Sequence, residues 1–169
     1  MFAHESTRVA RVYVLSRVAR EIQEHALSAA PDEAMGKLYG YRRTFQGVRY
    51  VRVTERATAP CDTGPAHGRF TPEATRACEE WVATRYEGSR DRPREIGVYH
   101  SHPFGAEPHL SSTDQETFLS FPYDEPGNVF LLSDPTAGWL KAHVVSDREG
   151  ERVLEEVPWV EYWAKGTPP

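Results

Sequence analysis

The side chains best suited to chemistry in this chain are two histidines one residue apart. His100 and His102 end a segment, residues 95–102, that has the alternation of a β-strand. Side chains at positions i and i+2 of a strand project from the same face, so the two imidazoles point together. Neutral imidazole is a common ligand of zinc and other transition metals. The spacing indicates a candidate metal site, although an isolated His-x-His pair more often belongs to an ordinary surface or core.

A second pattern, Ser111-x-x-Asp114, follows a loop that begins at Pro103. It matches a capping box, in which the serine hydroxyl and the carboxylate satisfy free N–H groups at the start of a helix. It also offers Asp114 as a third metal ligand. The two interpretations are compatible, because Ser111 can cap the helix while Asp114 turns towards a metal. Two histidines and one carboxylate leave the fourth position for water, which is the pattern of catalytic zinc.

The elements that must position these residues begin with a strand over residues 9–15 and a helix from Ser16, as its cap, to about Ala30. A second helix is predicted from Thr71, as the cap, and Pro72 to about Gly88. The predicted apolar faces are Val18, Ile22, Ala26 and Ala29 in the first helix, and Ala74, Ala77, Cys78, Trp81 and Val82 in the second.

The remaining pattern predicts a short helix near Ser111 and further strands at residues 33–41, interrupted by Gly36 and Gly40, and at 48–55, 128–133, 139–145 and 153–157. Residues 59–68 are rich in proline and glycine and predict a loop. This alternation indicates a mixed α/β class. We expect one domain over residues 1–169, with a core at about 9–157. The aromatic tail, 158–169, is expected to fold back on that core rather than to contact a second copy or a substrate.

Three motifs together resemble the JAMM metallopeptidases (the MPN+, or Mov34/PAD-1-like, family). The matching elements, in order, are Glu33-x-x-Gly36-x-Leu38-x-Gly40, His100-Ser101-His102-Pro103 and Ser111-x-x-Asp114. The resemblance spans roughly residues 10–145. It implies a cytidine-deaminase-like fold, in which helices flank a mixed β-sheet. One feature departs from the family pattern: the loop from Pro103 to Leu110 has eight residues where seven are usual.

The resemblance also implies the role of each site residue. His100, His102 and Asp114 would bind one Zn²⁺ per chain, and Glu33 would act on the zinc-bound water as a general base. Ser111 would donate a hydrogen bond to the oxyanion. Without the family pattern, Glu33 cannot be chosen over Glu95, Glu107 or Glu116.

Neighbouring polar residues have simpler interpretations. Ser101 and Tyr99 face away from the histidines, so Ser101 is predicted to be structural and Tyr99 to lie in the core. His109 and Glu107 are treated as loop residues that contact substrate at most. A second zinc site formed by Cys61, His67 and Cys78 is not expected, because Cys78 falls on the apolar face of its helix, where small buried thiols are common.

Composition excludes several classes of protein. The formal net charge of −5 has no basic block to neutralise phosphates, so we expect no nucleic-acid partner. No apolar run approaches the roughly 20 residues that a membrane span needs, and the first residues lack a signal-peptide pattern. The cytoplasm is therefore the expected compartment, while the oligomeric state is left open.

The family resemblance leaves three candidate functions. The first is a deubiquitinase-like isopeptidase that cuts after the C-terminal glycine of a ubiquitin-like modifier. The second is trimming of a sulfur-carrier protein to its Gly-Gly end, and the third is a non-catalytic MPN scaffold, which usually lacks the metal ligands. Residues 59–68 correspond to an insertion that lines the substrate groove in this family. Residues 115–128 are too short for the linkage-reading insertion of some eukaryotic members, so the chain resembles a compact, prokaryotic-style member.

Overall fold

The structure is a computed structural model that describes residues 8–105 and 109–165. Within these residues the chain forms strands and helices in an interleaved order. The elements are β1 (Val9–Leu15), α1 (Ser16–Ala29), β2 (Met35–Phe45), β3 (Val48–Ala57), β4 (Asp62–Gly64), β5 (His67–Arg69), α2 (Pro72–Arg85), β6 (Arg94–Ser101), α3 (Ser112–Phe118), β7 (Val129–Asp134), β8 (Trp139–Arg148), β9 (Glu151–Val157) and β10 (Trp159–Tyr162). No helix among them is both long enough and apolar enough to cross a membrane.

Eight of the strands form one mixed sheet in the order β10-β1-β3-β2-β6-β7-β8-β9. Strand β1 is parallel to both of its neighbours, β6 and β7 are parallel, and the other pairs are antiparallel. The two edge strands, β9 and β10, are consecutive in the chain and are separated only by Pro158. Because one segment supplies both edges, the sheet curls towards closure. This confirms the mixed α/β class.

Helix α1 covers one face of the sheet and supports the main core. Its buried residues, Val18, Ile22 and Ala26, recur at helical spacing, as the sequence predicts. Val18 and Ile22 join an apolar cluster to which β1, β3, β6, β7 and β8 contribute. The prediction that Ser16 caps this helix was wrong: Leu15 is the N-cap and no side chain caps the first turn. Strand β1 runs directly into α1, so no turn exists in which a hydroxyl could fold back.

The opposite face carries α2 and α3. Thr71 caps α2 as predicted, since its hydroxyl accepts a hydrogen bond from the N–H of Ala74 at 3.1 Å. The buried side of α2 is narrower than the sequence suggests, because Trp81 is 42% exposed and Ala77 is exposed as well. The residues that do face the sheet are spaced by four, namely Ala74, Cys78 and Val82.

Two glycines, Gly36 and Gly40, were predicted to interrupt β2. This prediction was wrong, because the strand is continuous through both. A Cβ on Gly36 would meet the ring of Tyr99 at 2.3 Å, and one on Gly40 would meet the carbonyl oxygen of Arg52 at 1.9 Å. Both glycines therefore permit a close approach within the sheet rather than a break in the strand. This keeps β2 paired with β6 as far as the end that carries the histidines.

The aromatic tail folds back on the domain, as expected. Its residues 159–162 form β10, which pairs with β1, and the indole N–H of Trp159 donates to the carbonyl oxygen of Leu140 at 2.8 Å. Residues 166–169 of the predicted tail lie outside the described residues. The predicted loop at 59–68 instead contains a small hairpin, in which β4 pairs with β5.

Candidate metal centre

The two histidines meet where β6 ends. His100 belongs to β6 and His102 follows its last residue, Ser101. Their Nε2 atoms are 2.7 Å apart and both side chains are buried, with 5% and 7% of each residue exposed. At this distance one imidazole donates its N–H and the other accepts. The side chains thus converge on one point, as their spacing predicts.

Glu33 reaches this point from the segment that leads into β2. Met35 pairs with His100 across the sheet, so the residue two positions earlier lies beside the end of β6. The Glu33 carboxylate lies 3.9 Å from Nδ1 of His100 and 3.8 Å from Nε2 of His102. Ligand atoms of these three buried residues all lie within 4.8 Å of one another. They form a cluster able to hold a metal ion.

Asp114 enters from α3. Its Oδ1 lies 3.5 Å from Nε2 of His100 and its Oδ2 lies 3.3 Å from Nε2 of His102. Three elements of the fold therefore bring two imidazoles and two carboxylates to one buried position. The arrangement depends on sheet pairing for Glu33 and on the position of α3 for Asp114.

Ser111 forms the capping box that its spacing predicts. Its hydroxyl accepts from the N–H of Asp114 at 3.1 Å and donates to Oδ2 of the same residue at 2.7 Å. The backbone N–H of Ser111 also donates to Oδ2, at 2.8 Å. The carboxylate thus serves the cap and faces the histidines at once, so the predicted cap is confirmed and the geometry leaves Asp114 within reach of the same point.

The electrostatics favour the metal-binding forms of His100 and Asp114. Burial lowers the pKa of His100 to about 4, which keeps its imidazole neutral. For Asp114, burial would raise the pKa, but hydrogen bonds from His102 and Ser111 hold the pKa below its usual range. Burial raises the pKa of Glu33, so its carboxylate holds a proton more readily than an exposed one.

His102 shows the opposite balance to His100. Burial lowers its pKa, but the hydrogen bond and negative charge of Asp114, together with the charge of Glu33, raise it overall. A cation bound among these carboxylates would take over the role of that proton. The donor set of two imidazole nitrogens and carboxylate oxygens fits a divalent metal that accepts nitrogen and oxygen ligands.

A cleft of about 590 Å³ opens onto the cluster. The hairpin β4–β5 borders one side through His67 and Gly68, and the rings of Phe104, Phe118 and Tyr123 border other parts. The ring of Phe104, 58% exposed, stacks on His102 with centroids 5.4 Å apart and planes 23° from parallel. The cleft therefore joins a polar, buried cluster to an apolar rim. Sequence reasoning missed Phe104, since a single aromatic in a loop carries no periodic pattern.

The other described candidate residues from the sequence lie outside the cluster of His100, His102, Asp114 and Glu33. Tyr99 is a core residue as predicted, 1% exposed, and its hydroxyl contacts His25 and Arg56. His109 is exposed and lines the cleft, whereas Glu107 lies outside the described residues. The three residues that a second zinc site would need make other contacts. His67 faces Asp62 at 3.3 Å, Cys61 donates to the carbonyl oxygen of Ala59, and Cys78 packs in the core on the buried side of α2.

Comparison with known proteins identifies the family. A family model described as prokaryotic homologues of the JAB domain matches residues 15–148. The chain belongs to this JAB-domain family. The match confirms the predicted resemblance to the JAMM/MPN group, and the three motif elements all fall within it.

The fold of this JAB-domain protein also resembles a solved structure. The solution structure of protein DSY2949 from Desulfitobacterium hafniense superposes with a TM-score of 0.62 and covers 90% of this chain and 94% of its own. The two sequences are 22% identical, so the likeness concerns the fold. No curated protein sequence matches the chain.

Proposed function

We propose that this JAB-domain protein is a zinc-dependent peptidase that cuts after the C-terminal glycine of a ubiquitin-like modifier. The observation that carries the proposal is the buried meeting of His100, His102, Asp114 and Glu33 at the base of an open cleft. Scaffold members of such families usually lack metal ligands. Here two imidazoles and two carboxylates face one position, which supports an enzyme over a scaffold.

In this proposal His100, His102 and Asp114 hold the zinc. When bound, zinc supplies Lewis acidity for the hydrolysis of an amide bond. The ligands are already ordered: α3 and its capping box fix Asp114, and the end of β6 fixes both histidines. The short contact between the imidazoles, 2.7 Å between their Nε2 atoms, must open slightly to admit an ion.

Glu33 is proposed as the group that moves protons. Its carboxylate faces the histidines but is farther from them than Asp114 is, by the distances above. It also shows a pKa raised by burial, which suits a group that accepts a proton from water and passes it to the leaving amine. Burial of the side chain keeps bulk water from competing for that proton.

Ser111 is proposed to assist by donating to the oxyanion. Its hydroxyl lines the cleft, although it now donates to Asp114. Rotation of the hydroxyl hydrogen towards a substrate oxygen would leave the backbone N–H of Ser111 and the cap in place. In this role Ser111 would lose the hydrogen bond that its hydroxyl donates to Asp114 and gain one to the substrate oxygen.

The cleft supports an extended, glycine-ended substrate. Among the described residues, strand β5 pairs with β4 alone and borders the cleft, and extended peptides bind such edges through main-chain hydrogen bonds. Beside Gly68 the passage runs close to the cluster, since a Cβ on this residue would lie 3.2 Å from Sδ of Met35 and 3.7 Å from the Glu33 carboxylate. Glycines in the substrate tail would fit this passage without a Cβ clash.

The deciding experiment compares matched substrates. A ubiquitin-like modifier extended beyond Gly-Gly should be cut after its last glycine, and replacing that glycine with valine should nearly abolish cleavage. The folded modifier should be cut much faster than its detached tail peptide, because its body adds remote binding energy. Equal kcat/KM for the two would leave a general small-peptide hydrolase.

The same assay separates the two modifier hypotheses. A substrate joined through its C-terminal glycine to a lysine side chain tests deconjugation, and a linear C-terminal extension tests processing of a sulfur-carrier protein. Preference for the isopeptide would favour the first. The substrate itself can be trapped by pull-down with the Glu33→Gln variant, since it should bind but turn over slowly.

A further inference from the structure

A second groove, separate from the metal cluster, crosses the sheet at β1, β3 and β10. It encloses about 560 Å³. The side chains of Arg11, Tyr13, Tyr50, Arg52 and Tyr162 line it, and we call it the tyrosine–arginine groove. It has no lining residue in common with the cleft over the metal cluster.

The two sites lie at opposite ends of strand β2. Met35, at one end, pairs with His100, and Phe45, at the other, lines the tyrosine–arginine groove. Ten residues of strand at about 3.3 Å each separate them by roughly 30 Å. A molecule held in the groove would therefore leave the catalytic cleft open.

The aromatic side chains of the groove are already ordered. Tyr13 and Tyr50 pack edge to face with centroids 5.4 Å apart, and the Arg52 guanidinium lies 5.2 Å from the centre of the Tyr162 ring. At the rim, Phe45 is 66% exposed and Val48 is 51% exposed. Tyrosine and arginine dominate the residues that contribute most to protein–protein binding, and ordered rings lose little entropy when a partner binds.

The groove is basic on an acidic protein. The chain has a formal net charge of −5, yet none of the lining residues carries a carboxylate. Arg11 and Arg52 take part in no ion pair with any of the residues at 8–105 and 109–165. Two guanidinium groups beside apolar surface are thus available to bind carboxylates, which they can do through paired hydrogen bonds.

We propose that the tyrosine–arginine groove docks an acidic segment of a partner protein, one in which carboxylates alternate with apolar side chains. The carboxylates would pair with Arg11 and Arg52, and the apolar groups would cover Phe45 and Val48. The surface lies outside the proposed catalytic site and does not depend on it. Docking there would raise the local concentration of whatever the partner carries near the cleft.

Two other occupants fit the groove less well. A second copy bound through this face would place Arg11 and Arg52 against the same arginines, and like charges opposed in an interface are costly. Single-stranded nucleic acid needs free ring faces and a track of cations along its phosphates. Here Tyr13 and Tyr50 cover each other edge to face, and Arg52 lies over one face of Tyr162.

The test uses the full chain and a fluorescent peptide in which Asp and Glu alternate with Leu and Phe, with fluorescence anisotropy as the readout. The peptide should bind, and affinity should fall as salt rises. Arg52→Glu and, separately, Arg11→Glu should each weaken binding by about tenfold or more, since a like charge replaces an ion pair. Arg20→Glu, on the exposed side of α1, is the matched control and should change affinity less than about twofold.

Circular dichroism and metal content would establish that each variant is folded. The proposal is overturned if the wild-type chain fails to bind the acidic peptide, or if both groove variants bind it as well as wild type does. It is also overturned if a thymidine oligonucleotide binds more tightly than the peptide and loses affinity in the same variants. Dimerisation that either groove variant abolishes would assign the face to a second copy instead.

Discussion

The side chain of Ser101 holds the backbone of Ala34. Its Oγ accepts a hydrogen bond from the N–H of Ala34 at 2.8 Å, and its own N–H donates to the carbonyl oxygen of Ala34 at 2.9 Å. The residue between the two histidines thus fixes the residue next to Glu33. The N–H of Glu33 is held in turn by the carbonyl oxygen of Gly64, at 2.9 Å. The position of Glu33 therefore depends on hydrogen bonds made by Ser101 and Gly64.

Ser101→Ala should lower the free energy of unfolding by about 1–3 kcal/mol, because it leaves the buried N–H of Ala34 without its partner. Ser101→Thr keeps the hydroxyl and should retain most of that stability. Chemical denaturation of the metal-free protein measures the difference. An alanine variant as stable as wild type would mean that another group, such as water, replaces the hydroxyl.

Purified protein should carry about one zinc per chain, and alanine at His100, His102 or Asp114 should each remove most of it. His109→Ala is the matched control, because this exposed histidine lines the same cleft and contacts His102 through its backbone, which the alanine variant keeps. Elemental analysis and zinc titration give the occupancy. Full occupancy in the His102→Ala protein would contradict the proposed ligand set.

Glu33→Gln should keep the fold and the zinc but lower kcat by several orders of magnitude, because the amide cannot accept a proton. Glu116→Gln, at an exposed position of α3, should leave kcat unchanged. Both variants are measured on the same extended modifier. If Glu33→Gln turned over at the wild-type rate, the proton transfer would have to be reassigned to another carboxylate.

Ser111→Ala separates the cap from the oxyanion role. Loss of the cap should cost about 1 kcal/mol of stability, and loss of an oxyanion donor about 10²–10³ in kcat. We expect both effects. Thr71→Ala removes the cap of α2, away from the cluster, and should reproduce the stability loss with kcat unchanged. A Ser111→Ala protein that is destabilised but fully active would leave capping as the sole role of this serine.

His143 makes stability depend on pH. Its ring is buried, and its Nδ1 has no hydrogen-bond partner among the residues described. Burial lowers its pKa below the ordinary value of 6.5, and Glu156 offsets part of the shift. The unfolded chain therefore takes up this proton first as pH falls, so stability present above about pH 6.5 is lost below it.

The variant His143→Gln should flatten this pH dependence. Urea denaturation at about pH 7.5 and pH 5, with metal chelated, gives the slope for each protein. His25 has a pKa lowered by burial and by Arg56, and His100 has one lowered by burial, so some slope should remain. An unchanged slope in His143→Gln would assign the effect to other groups.

The spacing of residues along the chain correctly predicted features that lie within a single helix or strand. The buried residues of α1 follow the 3.6-residue period, and the histidines share a side because β6 has a period of two. The prediction that Trp81 lies on the buried face of α2 was wrong. Its ring packs instead against the exposed side chain of Arg85, with 5.3 Å between the guanidinium and the ring centre. Period alone does not say how wide the covered face of a helix is.

Contacts between distant parts of the chain could not be predicted from local spacing. Glu33 reaches the histidines only because β2 pairs with β6 in the register that sets Met35 opposite His100. Nothing around residue 33 indicates that partner, so the family pattern was needed to select this glutamate. The hairpin β4–β5 has only three residues in each strand, too few for an alternating pattern to appear.

The pairing of β10 with β1 has a consequence for how the protein is made. Val12 pairs with Trp159, so one side of β1 stays without its partner until residues far along the chain have been synthesised. During translation, α1 and the β2–β3 hairpin can assemble early, while that side of β1 keeps its peptide groups unpaired. A ribosome that stalls before residue 159 would therefore expose a nearly complete domain in which one edge of β1 is unpaired. Such an edge is a natural target for chaperones.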